Sequence, residues 1–160
     1  MALRKPLVIV SGQIQQLQAG DSLDATVSEI DSISMTNGNA SSITIGQAVY
    51  VEAAGSVDLA QANASSTVEL LGLVKSTSIA AAASGTIQTD GILTATTVQW
   101  DAVTGGTGGL TAGSVYYLDP DAAGHLTSTA PTTAADYVVR VGLALSTTDF
   151  DITVSIPILL

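Results

Sequence analysis

Ile45-Gly46-Gln47-Ala48-Val49-Tyr50-Val51 is followed by Ala54-Gly55-Ser56-Val57-Asp58-Leu59 and then by Leu70-Leu71-Gly72-Leu73-Val74. Ala112-Gly113-Ser114-Val115-Tyr116-Tyr117-Leu118, Ala123-Gly124-His125-Leu126-Thr127 and Arg140-Val141-Gly142-Leu143-Ala144 repeat that succession later in the chain. Gly46 stands 67 residues before Gly113 and Gly72 stands 70 before Gly142, so two copies of one supersecondary unit are the economical explanation. Each copy reads as a strand, a hairpin turn at the Ala-Gly pair, a return strand, a loop, a strand carrying Gly-Leu, and a closing strand. The closing strands are residues 85–93 and 151–159. Short strands at this spacing predict an all-β fold, sandwich or barrel-like, built from two similar β units. A glycine inside the third strand of both copies suits a bulge or a close backbone approach.

Between the copies Thr96, Val98 and Trp100 alternate, and Thr104-Gly105-Gly106-Thr107-Gly108-Gly109 reads as a flexible link. The alanine run at residues 80–83, ended by Ser84-Gly85, reads as one helical turn with a glycine stop, and helix is otherwise scarce. Upstream, Asn37-Gly38-Asn39 is a turn signal, because Asn and Gly accept positive φ at little cost. Residues 23–35 place their apolar side chains irregularly and fit either a strand or a helical turn. Leu7-Val8-Ile9-Val10, opening after Pro6, reads as an entirely apolar strand, and residues 13–17 fit a second short one. The expected organisation is an extended N-terminal arm with first strands at 1–40, a first β unit at 41–94, a Gly/Thr-rich connection at 95–110 and a second β unit at 111–160, in one compact domain.

Composition narrows the function classes. Apolar residues make up 46% of the 160, aromatic ones 4% and charged ones 11%. That is the profile of thin strands and tight turns, since amphipathic helices need Glu and Lys on their wet face. With so few charges and a mean hydropathy of +0.45, apolar groups are left over for subunit contacts, so a homo-oligomer is expected. Residues 156–160, Ile-Pro-Ile-Leu-Leu, are the stretch most in need of cover. Arg4, Lys5, Lys75 and Arg140 are the only basic residues against 14 acidic ones, and a net charge of −10 repels a phosphate backbone, which argues against direct nucleic-acid binding. No cysteine is present, which excludes disulfides and thiolate metal sites. The apolar run after Arg4-Lys5 is too short for a signal-peptide core or a membrane span.

No catalytic, cofactor or metal constellation emerges. His125 is the single histidine and falls where the other copy has Ser56, at a hairpin turn, so it reads as a solvated turn residue. Asp119-Pro120-Asp121 with Gly124 faintly echoes a calcium loop but lacks the later oxygen ligands and the closing Glu, and a β-hairpin tip explains it. Asp119, Asp121, Asp136, Asp149 and Asp151 all fall near turns, with nothing to place two of them across one cleft. The glycine-rich run at 104–109 lacks the Gly-Lys-Ser/Thr ending of a phosphate loop. Arg4 and Lys5 are half of all basic residues, placed at one end of an acidic chain, which suggests an arm reaching an acidic partner.

The opening Arg4-Lys5-Pro6-Leu7-Val8-Ile9-Val10-Ser11-Gly12-Gln13-Ile14-Gln15-Gln16-Leu17, with Ala19-Gly20-Asp21, resembles the N-terminal segment of many tailed-phage structural proteins. So does the later stretch Gly108-Gly109-Leu110-Thr111-Ala112-Gly113, Tyr116-Tyr117-Leu118-Asp119, Gly124-His125-Leu126-Thr127, Ala130-Pro131 and Val141-Gly142-Leu143-Ala144. The resemblance extends to phage head decoration proteins, head fibres and tail-fibre modules. It implies a virion protein without catalytic activity, and the small size favours a decoration or cement protein, a trimer on the outer surface of the capsid, made in the host cytoplasm, with the major capsid protein as partner. Arg4, Lys5, Leu7, Val8, Ile9 and Val10 are the expected capsid contacts. The alternatives are a receptor- or glycan-binding head-fibre or tail-fibre module, and a small polysaccharide-cleaving enzyme.

Overall fold

The computed structural model describes residues 31–160 and, before them, the backbone pairing of residues 7–10 and 13–16. In chain order the strands are β1 (Leu7–Val10), β2 (Gln13–Gln16), β3 (Ser32–Asn37), β4 (Ile43–Thr44), β5 (Ala48–Ala53), β6 (Ser56–Leu59), β7 (Leu70–Val74), β8 (Ser78–Ile79), β9 (Ser84–Gln88) and β10 (Gly91–Thr94). One helix, α1 (Thr97–Thr104), precedes β11 (Val115–Leu118), β12 (Leu126–Thr127), β13 (Tyr137–Val138), β14 (Arg140–Ala144), β15 (Asp149–Ile152) and β16 (Ile158–Leu159). The fold is all-β, with a single short helix among the described residues. Strands β3, β6, β5, β7 and β9 close into a barrel, and β10, β15, β14, β11 and β12 form, in that order, an antiparallel sheet. The barrel closes through a parallel pairing of β3 with β6, Thr36 opposite Ser56 and Asn37 opposite Val57.

Gly72 and Gly142 both sit at a bulge and a close backbone approach, as their places inside strands suggested. β5 meets β7 with Val49 opposite Gly72 and Tyr50 opposite Leu70, leaving Leu71 as the extra residue of a bulge. β11 meets β14 with Tyr116 opposite Gly142 and Tyr117 opposite Arg140, leaving Val141 as the extra residue. A Cβ on Gly72 would collide with the carbonyl of Gln88 on β9, and one on Gly142 with the carbonyl of Asp151 on β15. The two Ala-Gly hairpin turns place Gly55 and Gly124 at φ +79° and +76°.

Alternation on the strands sets what is buried. On β15, Phe150 and Ile152 are fully buried while Asp149 and Asp151 are half-buried on the other face. Met35, Ile43, Val49, Val57, Val74, Ile79 and Ile87 fill the barrel. A larger core joins the barrel's Ala48 and Leu73 to Trp100 of α1 and to Leu93, Leu118, Val141, Phe150 and Ile152 of the second sheet. Backbone hydrogen bonds cross the same junction, from Ala48 N–H to the Gly124 carbonyl and from Tyr137 N–H to the Ala62 carbonyl.

Several elements depart from the sequence-based expectation, each for a local reason. The alternating Thr96, Val98 and Trp100 belong to α1: Thr96 and Gln99 form a reciprocal capping box, and Gly105 ends the helix in the left-handed region. The run at 104–109 is tied down, because the Asp101 carboxylate accepts from the N–H groups of Gly108 (3.1 Å) and Gly109 (2.7 Å). Residues 80–83 form a turn rather than a helical one, with Ala82 at φ +59° and Asn37 exchanging backbone hydrogen bonds with Ala82 and Ala83. The expected strand at 85–93 is two, split at Asp90-Gly91 where Gly91 takes φ +73°, and β10 joins the second sheet. The expected strand at 151–159 ends at Ile152 and resumes only at β16. β3, assigned to the N-terminal region, is a wall of the barrel. The Asn37 turn works through side chains: the buried Asn37 amide donates to the carbonyls of Ser41 and Ile79 and accepts from Asn39 N–H.

Candidate functional site

Arg4 and Lys5, the charged half of the expected contact set, lie outside the described residues. Leu7, Val8, Ile9 and Val10 form β1, and β2 takes one of its edges: Leu7 pairs with Gln16, Val8 with Gln15, Ile9 with Ile14 and Val10 with Gln13. The sequence marked both strands but not their pairing, although two residues between equal-length strands are a hairpin spacing. Among the described residues β2 is the one strand paired with β1.

The acidic residues divide by environment. Asp119 sits at the tip between β11 and β12 as a turn-capping residue, its Oδ1 accepting from the N–H groups of Asp121 (2.7 Å) and Ala122 (3.2 Å). Asp119, Asp121 and Asp136 border one open hollow of about 230 Å³ with Pro120, Thr127 and Pro131, a grouping that the sequence order did not reveal. Among the described residues no three His, Cys, Asp or Glu side chains are grouped to hold a metal. Asp149 begins β15 and accepts from Thr94 Oγ1 (2.7 Å) and Ser146 Oγ (2.8 Å), and these bonds hold its carboxyl below the ordinary 3.8. Asp151 lies one pleat on, opposite Ile92 and Leu143.

His125 is half-buried just before β12, its N–H bonded to the Ala122 carbonyl and its own carbonyl accepting from Asp119 N–H, so its backbone belongs to the hairpin turn. Tyr50 is half-buried, and burial, followed by the charges of Asp58 and Glu52, pushes its hydroxyl up from the ordinary 10.0. It stays neutral. A second hollow, about 190 Å³, is lined by Thr104, Thr107, Thr111, Tyr116, Thr127 and Ser128 with two glycines. Within it Tyr116 Oη accepts from Thr111 N–H at 3.0 Å, so that phenol serves the loop.

Among the described residues the most exposed apolar segment is elsewhere. After β15 the chain continues along β14 and β13, Thr153 N–H bonding the Val141 carbonyl, Ser155 N–H the Arg140 carbonyl and Leu160 N–H the Asp136 carbonyl. Along this segment Val154, Ile156, Ile158, Leu159 and Leu160 face solvent, Ile156 at 81% exposure and Leu159 at 60%. No residue from 153 to 160 is charged. The sequence identified residues 156–160 as apolar and in need of cover, and no described residue covers Ile156, Ile158, Leu159 or Leu160. No helix among the described residues is long and apolar enough to cross a membrane. No protein-family model and no curated protein matches this chain.

Proposed function

We propose that this chain is a non-catalytic structural protein of a tailed-phage particle, a decoration protein that binds the outer surface of the head and stabilises the shell. The observation that carries the reading is the placement of apolar surface. The body packs its core into a barrel and a sheet, yet residues 153–160 carry exposed apolar side chains and no charged one, and the hairpin strand Leu7–Val10 is wholly apolar in sequence. Apolar strand edges of this kind suit assembly, where area buried between proteins does the work. The phage-like opening segment and the phage-like stretch from Gly108 to Ala144 supply the particle and the partner, the major capsid protein, and the trimer.

The duplication belongs to the same proposal. The order β6, β5, β7, β9, β3 in the barrel matches β12, β11, β14, β15, β10 in the second sheet, and the bulges beside Gly72 and Gly142 match residue for residue. We read the two as copies of one unit, the first closed and the second open. An experimental structure whose two halves do not superpose over these strands would reject the duplication.

Mixing the purified protein with undecorated heads and sedimenting them tests the function. Saturable co-sedimentation that raises the temperature at which the shell opens is expected, and absence of binding to expanded heads would overturn the reading. The head-fibre alternative predicts binding to host glycans, read on a glycan array. His125→Ala leaves assembly and infectivity unchanged on the proposed reading; a polysaccharide-cleaving activity that this change abolishes would replace it with an enzyme.

A further inference from the structure

Of the asparagines Asn37, Asn39 and Asn63, Asn37 alone precedes a glycine. That pair carries a reaction of its own. With no Cβ beside it, a glycine nitrogen that loses its proton can attack the carboxamide carbon of the preceding asparagine. The N–Cγ bond forms, the Cγ–Nδ2 bond breaks, and ammonia leaves behind a succinimide. Water then opens the ring at either carbonyl, giving aspartate or, with an extra main-chain carbon, isoaspartate. We propose that Asn37 with Gly38 is a latent self-modification site, which the closed barrel holds unreactive and which opening of the β3–β6 seam releases, so that the opened barrel cannot close again.

The native contacts tie down both reacting groups. The Gly38 N–H donates to the Val57 carbonyl at 2.8 Å, so the nucleophilic nitrogen keeps its proton. The leaving nitrogen, Asn37 Nδ2, donates to the carbonyls of Ser41 and Ile79, each at 2.9 Å, and Oδ1 accepts from Asn39 N–H at 2.9 Å. The main chain of Asn37 is bonded as well, its N–H to the Ala83 carbonyl and its carbonyl to the Ala82 N–H. Asn37 is 1% exposed while Gly38 beside it is exposed, so water is at hand as soon as these bonds open. Ala82, in the turn that clasps Asn37, stands at φ +59°, and release of that strain lowers the cost of opening there.

Neither product fits the seam. Aspartate places an acceptor where Nδ2 donated, against two carbonyls, and adds a charge near Glu52, whose carboxylate a Cβ on Gly38 would strike. Isoaspartate lengthens the chain inside the short parallel register that closes the barrel, Thr36 opposite Ser56 and Asn37 opposite Val57.

The test needs neither capsid nor ligand. The full chain is incubated in mildly alkaline buffer, folded or in guanidinium chloride, and conversion at residue 37 is read by peptide mass spectrometry. Conversion should proceed in denaturant and run about tenfold slower or more in the folded protein, because it then waits on local opening. Gly38→Ala should slow the reaction several-fold in denaturant, where packing plays no part. After dilution from denaturant, unmodified chains should recover the native circular dichroism and chains modified at residue 37 should not. Asn37→Asp should lower the guanidinium midpoint or prevent folding, and the comparison of folded and denatured wild type stands without that variant. Equal rates in buffer and denaturant, a reaction indifferent to Gly38→Ala, or modified chains that refold with the wild-type midpoint would each overturn the proposal.

Discussion

At the residue scale Gly72 and Gly142 do more than punctuate. Gly72 and Gly142 lie against the carbonyls of Gln88 and Asp151, so any side chain forces two neighbouring strands apart, whereas Gly55 has open space around its α-carbon and only its φ of +79° to defend. Gly142→Ala and Gly72→Ala should therefore each cost about 1–3 kcal/mol through overpacking. Gly55→Ala should cost about 1–2 kcal/mol through backbone conformation alone. Urea midpoints of the three variants, with circular dichroism of each, check the order. These glycines were legible in the sequence because a repeated exception to β-propensity needs a repeated cause. Asp149 was not, since its partners Thr94 and Ser146 come together only when β10 pairs with β15. Its carboxyl titrates below 3.8 when folded, so its hydrogen bonds stabilise the fold above about pH 4 and are lost as pH falls through the lower, folded value. Thr94→Val removes the largest cause of that depression. The melting-temperature gap between wild type and Thr94→Val should be widest near neutrality and close below about pH 4; a gap that widens in acid would reverse the sign of the argument.

At the scale of elements, α1 is where pattern reading was misled. Thr96, Val98 and Trp100 alternate as a strand would, but the Thr-x-x-Gln box and the later glycine were the stronger signal, because they satisfy backbone groups that a helix end exposes. The helix then pins the junction of barrel and sheet. Trp100 is fully buried, its indole N–H donates to the Thr148 carbonyl at 2.9 Å, its ring lies 5.5 Å from that of Phe150, and its edge packs over Gly46 of the barrel unit. Trp100→Ala should cost about 3–5 kcal/mol, and Thr96→Ala about 1 kcal/mol through loss of the cap. Differential scanning calorimetry should show a single transition lowered in both variants, because the larger core runs through both sheets. A split into two transitions on Trp100→Ala would mean that the barrel and the second sheet fold independently. The strand boundaries missed at 85–93 and 151–159 have one cause: a continuous apolar run does not record where a turn hands the chain from one sheet to another.

For the whole molecule, charge and apolar surface are segregated. Asp21, Asp24 and Glu29 precede residue 31, leaving 11 acidic residues on residues 31–160 against Lys75 and Arg140, whereas residues 1–16 carry Arg4 and Lys5 and no acid. Composition made this polarity readable. It could not show which apolar segments the fold leaves open, since exposure depends on what β10, β14 and β13 already cover. If the N-terminal segment docks on the shell, its two charges face acidic groups there while β1 adds to a neighbouring strand. A rim charge pair contributes roughly 0–1 kcal/mol and is screened by salt, so the strand must supply most of the affinity. Removing residues 1–10 should therefore abolish binding to undecorated heads, while Arg4→Ala with Lys5→Ala should weaken it modestly and flatten its salt dependence. Occupancy after sedimentation at low and high salt measures both. Full occupancy by the truncated chain would move the binding surface to the β body, where the open hollow at the β11–β12 tip would become the first place to look.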